Sequence, residues 1–317
     1  MEYLILILSL AGIVLGADFL VKGAVVVARK CRMSSFVIGA VIVGIGTSLP
    51  ELVVSTVGAI GGNSEVAIGN VVGSNIFNVF AILGLTALFF PIAVSRENMK
   101  FEIPFCIAVS ILLMLLVYNF FIGGEPRLGR WDGAALLLVF TSFMWMSLRR
   151  GKNSAATVGE SVEEENKSLW FAAFSILGGL AALIVSSNFF VDEAVAIARK
   201  LGVSDAFISI TLLACGTSLP ELAASVTAAV KKDTDMALGN IIGSNIFNAT
   251  MILGTASLIT PLTTGKIGLV DYGAMILAAV LPMIFGIRRK ITRIEGLLML
   301  LCYAAYTWYI VTYVMAV

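Results

Sequence analysis

The stretch Gly46-Thr47-Ser48-Leu49-Pro50-Glu51 occurs twice in this chain, the second time as Gly216-Thr217-Ser218-Leu219-Pro220-Glu221. Each copy puts a carboxylate, two hydroxyls, a glycine and a proline inside a long apolar run. A charged side chain at the centre of a membrane helix costs roughly 2.5–3.5 kcal/mol on insertion scales. Two such residues at matching places in two halves therefore mark an internal site rather than a surface.

The surroundings set the class. Of 317 residues, 59% are hydrophobic and only 13% charged, and the mean hydropathy is +1.00. Soluble domains carry about 25% charged residues. The runs do not alternate in polarity, as Ile103–Val117 shows, which argues against a β-barrel. The expected fold is an all-α polytopic membrane protein with ten spans, near 3–26, 35–60, 65–91, 101–122, 131–149, 168–191, 204–230, 234–260, 268–287 and 293–316. Spans 2, 3, 7 and 8 are interrupted by Gly, Ser, Asn or Pro. Tyr3–Val25 has no basic leader or small-residue cleavage site and reads as a retained first helix. No basic tract with interleaved aromatics suggests nucleic acid. The chain has no histidine, and Cys31, Cys106, Cys215 and Cys302 are scattered without metal-ligand spacing. Neither a cofactor nor an obligate protein partner is expected; the lipid bilayer is.

Position n matches n+170 without a gap from about residue 16 to 91. Gly69-Asn70-Val71-Val72-Gly73-Ser74-Asn75-Ile76-Phe77-Asn78 and its counterpart Gly239–Asn248 share eight identities in ten. Each half holds five expected spans. Five is odd, so the second half enters from the opposite side: an inverted repeat, the construction of many secondary transporters, with the site near the midplane. The halves are residues 1–150 and 168–317, joined by a polar linker, 151–167. Of the 21 Lys and Arg, 16 fall to odd-numbered loops. The positive-inside rule then makes those loops and the linker cytoplasmic and both termini extracellular.

Chemistry follows from residue type. Glu51 and Glu221 would meet at the pseudo-axis, where two carboxylates repel unless a cation or proton lies between them. Pro50 and Pro220 lack an N–H and would free carbonyls around Thr47 and Thr217 as ligands. A hard cation such as Ca²⁺ takes about six to eight oxygens, so two Glu and these carbonyls form a partial shell. Ser74, Ser244, Asn78 and Asn248 add neutral oxygens suited to Na⁺ or water. Asn70, Asn75, Asn240 and Asn245 read as interhelical hydrogen-bonding groups. Asp18, Asp192 and Glu193 read as interfacial or helix-packing groups, and Trp131, Trp170 and Trp308 as interfacial anchors.

Gly-Thr-Ser-Leu-Pro-Glu followed by Gly-Asn-x-x-Gly-Ser-Asn-Ile, twice, resembles the repeats of the cation/calcium antiporter superfamily, and more closely its sodium/calcium exchanger branch. The resemblance covers the whole chain. It implies a four-site cluster in which one Ca²⁺ competes with three Na⁺. Glu51, Glu221, Thr47 and Thr217 would form the central site. Ser48, Ser74, Thr47 and the Gly44 carbonyl would form an inner Na⁺ site. Ser218, Ser244, Thr217 and the Ala214 carbonyl would form an outer one, with Asn78 and Asn248 completing the central group. Some relatives carry Asp where Asn248 stands, which argues against potassium dependence here. The implied activity is alternating-access antiport in the cell membrane, with helices 1 and 6 sliding across the core of helices 2, 3, 7 and 8. Three Na⁺ against one Ca²⁺ would be electrogenic. A Ca²⁺/H⁺ antiporter using the same glutamates is the alternative. An intramembrane enzyme lacks a nucleophile, a histidine ligand or a cofactor motif, and a channel is disfavoured by the inverted repeat.

Overall fold

The computed structural model describes residues 2–119, 125–151, 167–201 and 214–314. Helix α1 spans Glu2–Lys30, α2 Ser35–Thr47, α3 Leu49–Ile60, α4 Ser64–Phe89, α5 Asn98–Val117 and α6 Arg130–Arg150. In the second half, α7 spans Leu169–Lys200, α8 is the turn Ala214–Gly216, α9 spans Leu219–Val230, α10 Thr234–Ile259, α11 Leu269–Arg288 and α12 Arg293–Thr312. Among the described residues, eight helices are long and apolar enough to cross a membrane, and a ninth if the bent pair α2–α3 counts as one. Helix α9 is a shorter apolar helix. The part of the expected seventh span before Ala214 lies outside the described residues, as does the linker apart from its ends.

Helices α4 and α10 are the most enclosed of the spans, and both carry the Gly-Ser-Asn-Ile-Phe-Asn stretch. Each contains a widened π-turn, Asn78–Leu83 and Asn248–Ile252, beginning at the equivalent asparagine. Around them the helices meet through glycines, which let backbones approach closely in lipid. Gly16 of α1 lies against Gly179 of α7, Gly84 of α4 against Gly296 of α12, and Gly133 of α6 against Gly254 of α10. Helix α2 reaches α10 through Gly39 and Gly239, where a Cβ would strike the backbones of Met236 and Phe36. Gly243 likewise sits on Ala40, whereas a Cβ on its counterpart Gly73 would meet nothing within 4 Å among the described residues.

Four two-residue strands tie loops together: β1 (Ile92–Ala93) pairs with β4 (Lys290–Ile291), and β2 (Arg127–Leu128) with β3 (Leu262–Thr263).

Some expectations need correction. Helices α1 and α7 both outrun 3–26 and 168–191, ending on Arg29–Lys30 and Arg199–Lys200. Basic side chains in a last turn complement the negative helix end and extend it. Asp192 and Glu193 therefore stand inside α7, about two turns from its end. The prolines do not break a continuous helix from within. The break falls at Ser48, where α2 and α3 are bent by 47°. Pro50 and Pro220 are in the first turns of the new helices, where a missing N–H costs nothing. Asp18 forms ion pairs with Lys22 at 2.6 Å and with Lys231 at 2.7 Å.

Candidate cation site

The two broken segments converge on the middle of the molecule. Glu51 lies in the first turn of α3 and Glu221 in the first turn of α9, and both are fully buried. The positive end of a helix favours a carboxylate, so each break supplies a local dipole for its glutamate. The last turn of α2 carries the negative end of that helix, the polarity that suits a cation.

Hydrogen bonds cross between the halves. Ser48 Oγ donates to Glu221 Oε1 at 2.8 Å, and Ser218 Oγ donates to Glu51 Oε1 at 3.1 Å. Each serine thus serves the glutamate of the opposite half. Each serine sits at the start of its helix, next to the break, and reaches the other half rather than its own glutamate. Ser244 Oγ donates to the Gly44 carbonyl at 3.2 Å, joining α10 to α2. Thr47 Oγ1 donates to the Val43 carbonyl at 3.0 Å in its own helix and lies 3.3 Å from Asn240 Oδ1 of α10. Ala214 is the first described residue of its segment, in α8.

Six buried oxygens or hydroxyls in this region have no hydrogen-bond partner: Glu51 Oε2, Glu221 Oε2, Ser74 Oγ, Thr217 Oγ1, Asn78 Oδ1 and Asn248 Oδ1. All six belong to residues singled out from the sequence. Leaving a buried polar atom unpaired costs roughly 1–3 kcal/mol, and native structures do so where an ion or ordered water supplies the missing partner. Together they offer two carboxylates, two hydroxyls and two amide carbonyls, a hard-cation donor set. Among the described residues no three Asp, Glu, His or Cys side chains converge as a metal site. Two carboxylates with neutral oxygens are a donor set that suits Ca²⁺ or Na⁺ better than a transition metal.

A supporting layer was only partly visible in the sequence. Asn70 Nδ2 donates to the Glu51 carbonyl at 3.2 Å and to Ser55 Oγ at 3.0 Å. Asn240 Nδ2 makes the equivalent bonds to the Glu221 carbonyl at 3.2 Å and to Ser225 Oγ at 2.8 Å. Ser55 and Ser225 were not singled out. They stand four residues after each glutamate, one turn along the same face, and they match at n+170, which is the signal that would have found them.

Comparisons with known proteins agree along almost the full length. A family model described as sodium/calcium exchanger protein matches residues 1–149 and 171–312. The sodium/calcium exchanger MaX1 of Methanosarcina acetivorans is 34% identical over 96% of this chain and 97% of its own. The inner membrane protein YrbG of Escherichia coli K12 is 33% identical over 87% of this chain and 86% of its own. The solved structure of the sodium-calcium exchanger NCX_Mj, soaked with 10 mM Na⁺ and zero Ca²⁺, superposes with a TM-score of 0.83 at 32% identity, covering 98% of each chain. The relatives named by activity are transporters, not enzymes.

Proposed function

The chain belongs to the sodium/calcium exchanger protein family and is a multi-pass cation/Ca²⁺ antiporter, and from that premise we propose that it exchanges Na⁺ for Ca²⁺ at the Glu51–Glu221 centre. The observation that carries the reading is the set of unpartnered buried oxygens on the two glutamates and on Ser74, Thr217, Asn78 and Asn248, drawn from both halves. Two carboxylates balance one Ca²⁺, and their charge is neutralised without a third acidic group. Three Na⁺ in the same centre leave one positive charge, which makes 3:1 exchange electrogenic.

Glu51, Glu221, Thr47 and Thr217 form the Ca²⁺ position in this proposal. Ser48, Ser74, Thr47 and the Gly44 carbonyl form the inner Na⁺ position in this proposal, with Ser48 hydrogen-bonded to Glu221. Ser218, Ser244, Thr217 and the Ala214 carbonyl form the outer one, with Ser218 hydrogen-bonded to Glu51. Asn78 and Asn248 complete the central group.

The proposed topology is ten spans in two inverted halves, 1–150 and 168–317, with both termini extracellular and the 151–167 linker cytoplasmic. The strand pairs support it. With ten spans, β1 and β4 lie in the third and ninth loops, and β2 and β3 in the fourth and eighth. Paired strands must share a membrane side, and odd meets odd while even meets even.

The test is radiolabelled Ca²⁺ uptake into Na⁺-loaded proteoliposomes, with choline-loaded vesicles and an imposed pH gradient as controls. Uptake should need internal Na⁺ and vanish in Glu51→Gln. Uptake driven by the pH gradient without Na⁺ would replace this reading with Ca²⁺/H⁺ antiport, and uptake under neither gradient would reject both.

A further inference from the structure

We propose that Asn75 and Asn245 are positioning residues that turn the side-chain oxygens of Asn248 and Asn78 toward the transported ion. The inference rests on the Glu51–Glu221 centre being the ion site.

The amide group of asparagine is ambiguous: rotating it by half a turn exchanges an acceptor for a donor. Only the partners decide which end faces where. Here the decision runs through four amides in sequence. Asn75 Nδ2 donates to the backbone carbonyl of Asn245 at 3.1 Å, and Asn245 Nδ2 donates to the backbone carbonyl of Asn75 at 3.1 Å. A carbonyl can only accept, so in each case the NH₂ end must face it. This leaves the Oδ1 of each on the opposite side, able only to accept. Asn248 Nδ2 meets Asn75 Oδ1 at 3.1 Å, and Asn78 Nδ2 meets Asn245 Oδ1 at 3.0 Å. The amino ends of Asn248 and Asn78 are thereby held against Asn75 and Asn245. Their oxygens are turned away, buried and without a hydrogen-bond partner.

The arrangement has a purpose that helix packing does not require. Rotating Asn248 would face two acceptors at Asn75 Oδ1 and point two N–H groups toward a cation. Both outcomes are unfavourable, and the second removes a ligand and adds repulsion. The π-turns contribute by geometry: Asn78 and Asn248 each begin one, so these side chains leave the helix at a widened turn, the kind of irregularity found at functional sites. The reciprocal Asn75–Asn245 bonds also join α4 to α10, so the same contact that couples the two halves orients their ligands.

An aspartate needs no such orientation, because both ends of its carboxylate are oxygens. The test therefore compares Asn75→Ala with Asn75→Ala/Asn248→Asp, each against its own Asn248 background, in proteoliposome exchange. Asn245→Ala with Asn78→Asp is the mirror pair. Asn75→Ala should raise the half-saturating concentration of Na⁺ or Ca²⁺ about tenfold, equivalent to about 1.4 kcal/mol, while the maximal rate changes less. In the Asp background the same Ala substitution should not raise it, because Asn75 Oδ1 there faces a carboxylate oxygen, acceptor against acceptor, and its loss removes no support. An equal rise in both backgrounds would mean a packing role and would overturn the proposal, as would no rise in either mirror. If both single Ala variants aggregate, the doubles decide: folded doubles with the half-saturation of the Asp single support it, and aggregated doubles overturn it. Glu51→Gln is measured alongside. If it transports normally, the ion-site reading itself fails; if it is inactive while the Ala variants saturate as wild type, only the positioning role fails.

Discussion

Replacing Glu221 by Gln isolates the charge from the geometry. Gln keeps an acceptor for Ser48 Oγ, which lies 2.8 Å from Glu221 Oε1. It substitutes an NH₂ for the second oxygen, the atom that has no hydrogen-bond partner. The side chain is fully buried, so water does not screen the loss. Removing one partner from a buried ion pair costs about 3–5 kcal/mol. At about 1.4 kcal/mol per tenfold, Ca²⁺ affinity should fall between about a hundredfold and a few thousandfold. Two assays read this. Exchange in proteoliposomes should lose Ca²⁺ uptake at concentrations that saturate the wild type. Purified wild-type protein should melt progressively higher as Ca²⁺ is added, following the logarithm of ligand over dissociation constant, and the variant should not respond in the same range. The second assay does not depend on transport, so a defect in helix movement cannot imitate it. A Gln variant whose Ca²⁺ half-saturation stays within threefold of wild type in both assays would refute the reasoning, because the ion would then not be held by this carboxylate.

Gly239→Ala should destabilise the protein without touching a ligand: a Cβ there strikes the backbone of Phe36, overpacking of this kind costs about 1–3 kcal/mol, and the melting temperature in detergent reads it. Asp18→Asn should be mild. Its lysine partners are 39% and 29% exposed at the side chain, exposed ion pairs contribute about 0–1 kcal/mol, and a thermal melt that shifted by more would contradict that estimate. Cys31 is an exposed free thiol just after α1. A membrane-impermeant maleimide should label it in inside-out vesicles and spare it in right-side-out ones, with Cys31→Ser as the blank; the reverse pattern would invert the proposed topology.

The candidate site was legible to an unusual extent because it is written twice. A buried glutamate beside Ser, Thr and Pro is expensive in lipid, and its repetition at a fixed offset leaves packing a poor explanation. Ser74, Ser244, Asn78 and Asn248 followed from the second repeated stretch. Sequence reasoning was less successful at the helix break. The freed carbonyls were ascribed to the prolines, whereas the chain turns at Ser48 and the prolines open the next helices. Proline marks the neighbourhood of a break but is equally at home in a first turn. The ends of α1 and α7 were also underestimated, since a basic last turn sustains helix beyond the apolar run.

By itself the sequence determined which groups are present and that they come in pairs: the apolar spans, the repeat offset, and two carboxylates with their neutral oxygens. These are properties of composition and period, and they survive any choice of packing. Only the tertiary structure decided who faces whom. Ser48 reaches Glu221 and Ser218 reaches Glu51, although each serine is three residues from its own glutamate. The orientation of Asn78 and Asn248 likewise depends on Asn245 and Asn75 in the opposite half. Spacing along a chain specifies one helix face, whereas a hydrogen bond between halves depends on how two helices cross, and that is fixed only when their glycine seams close.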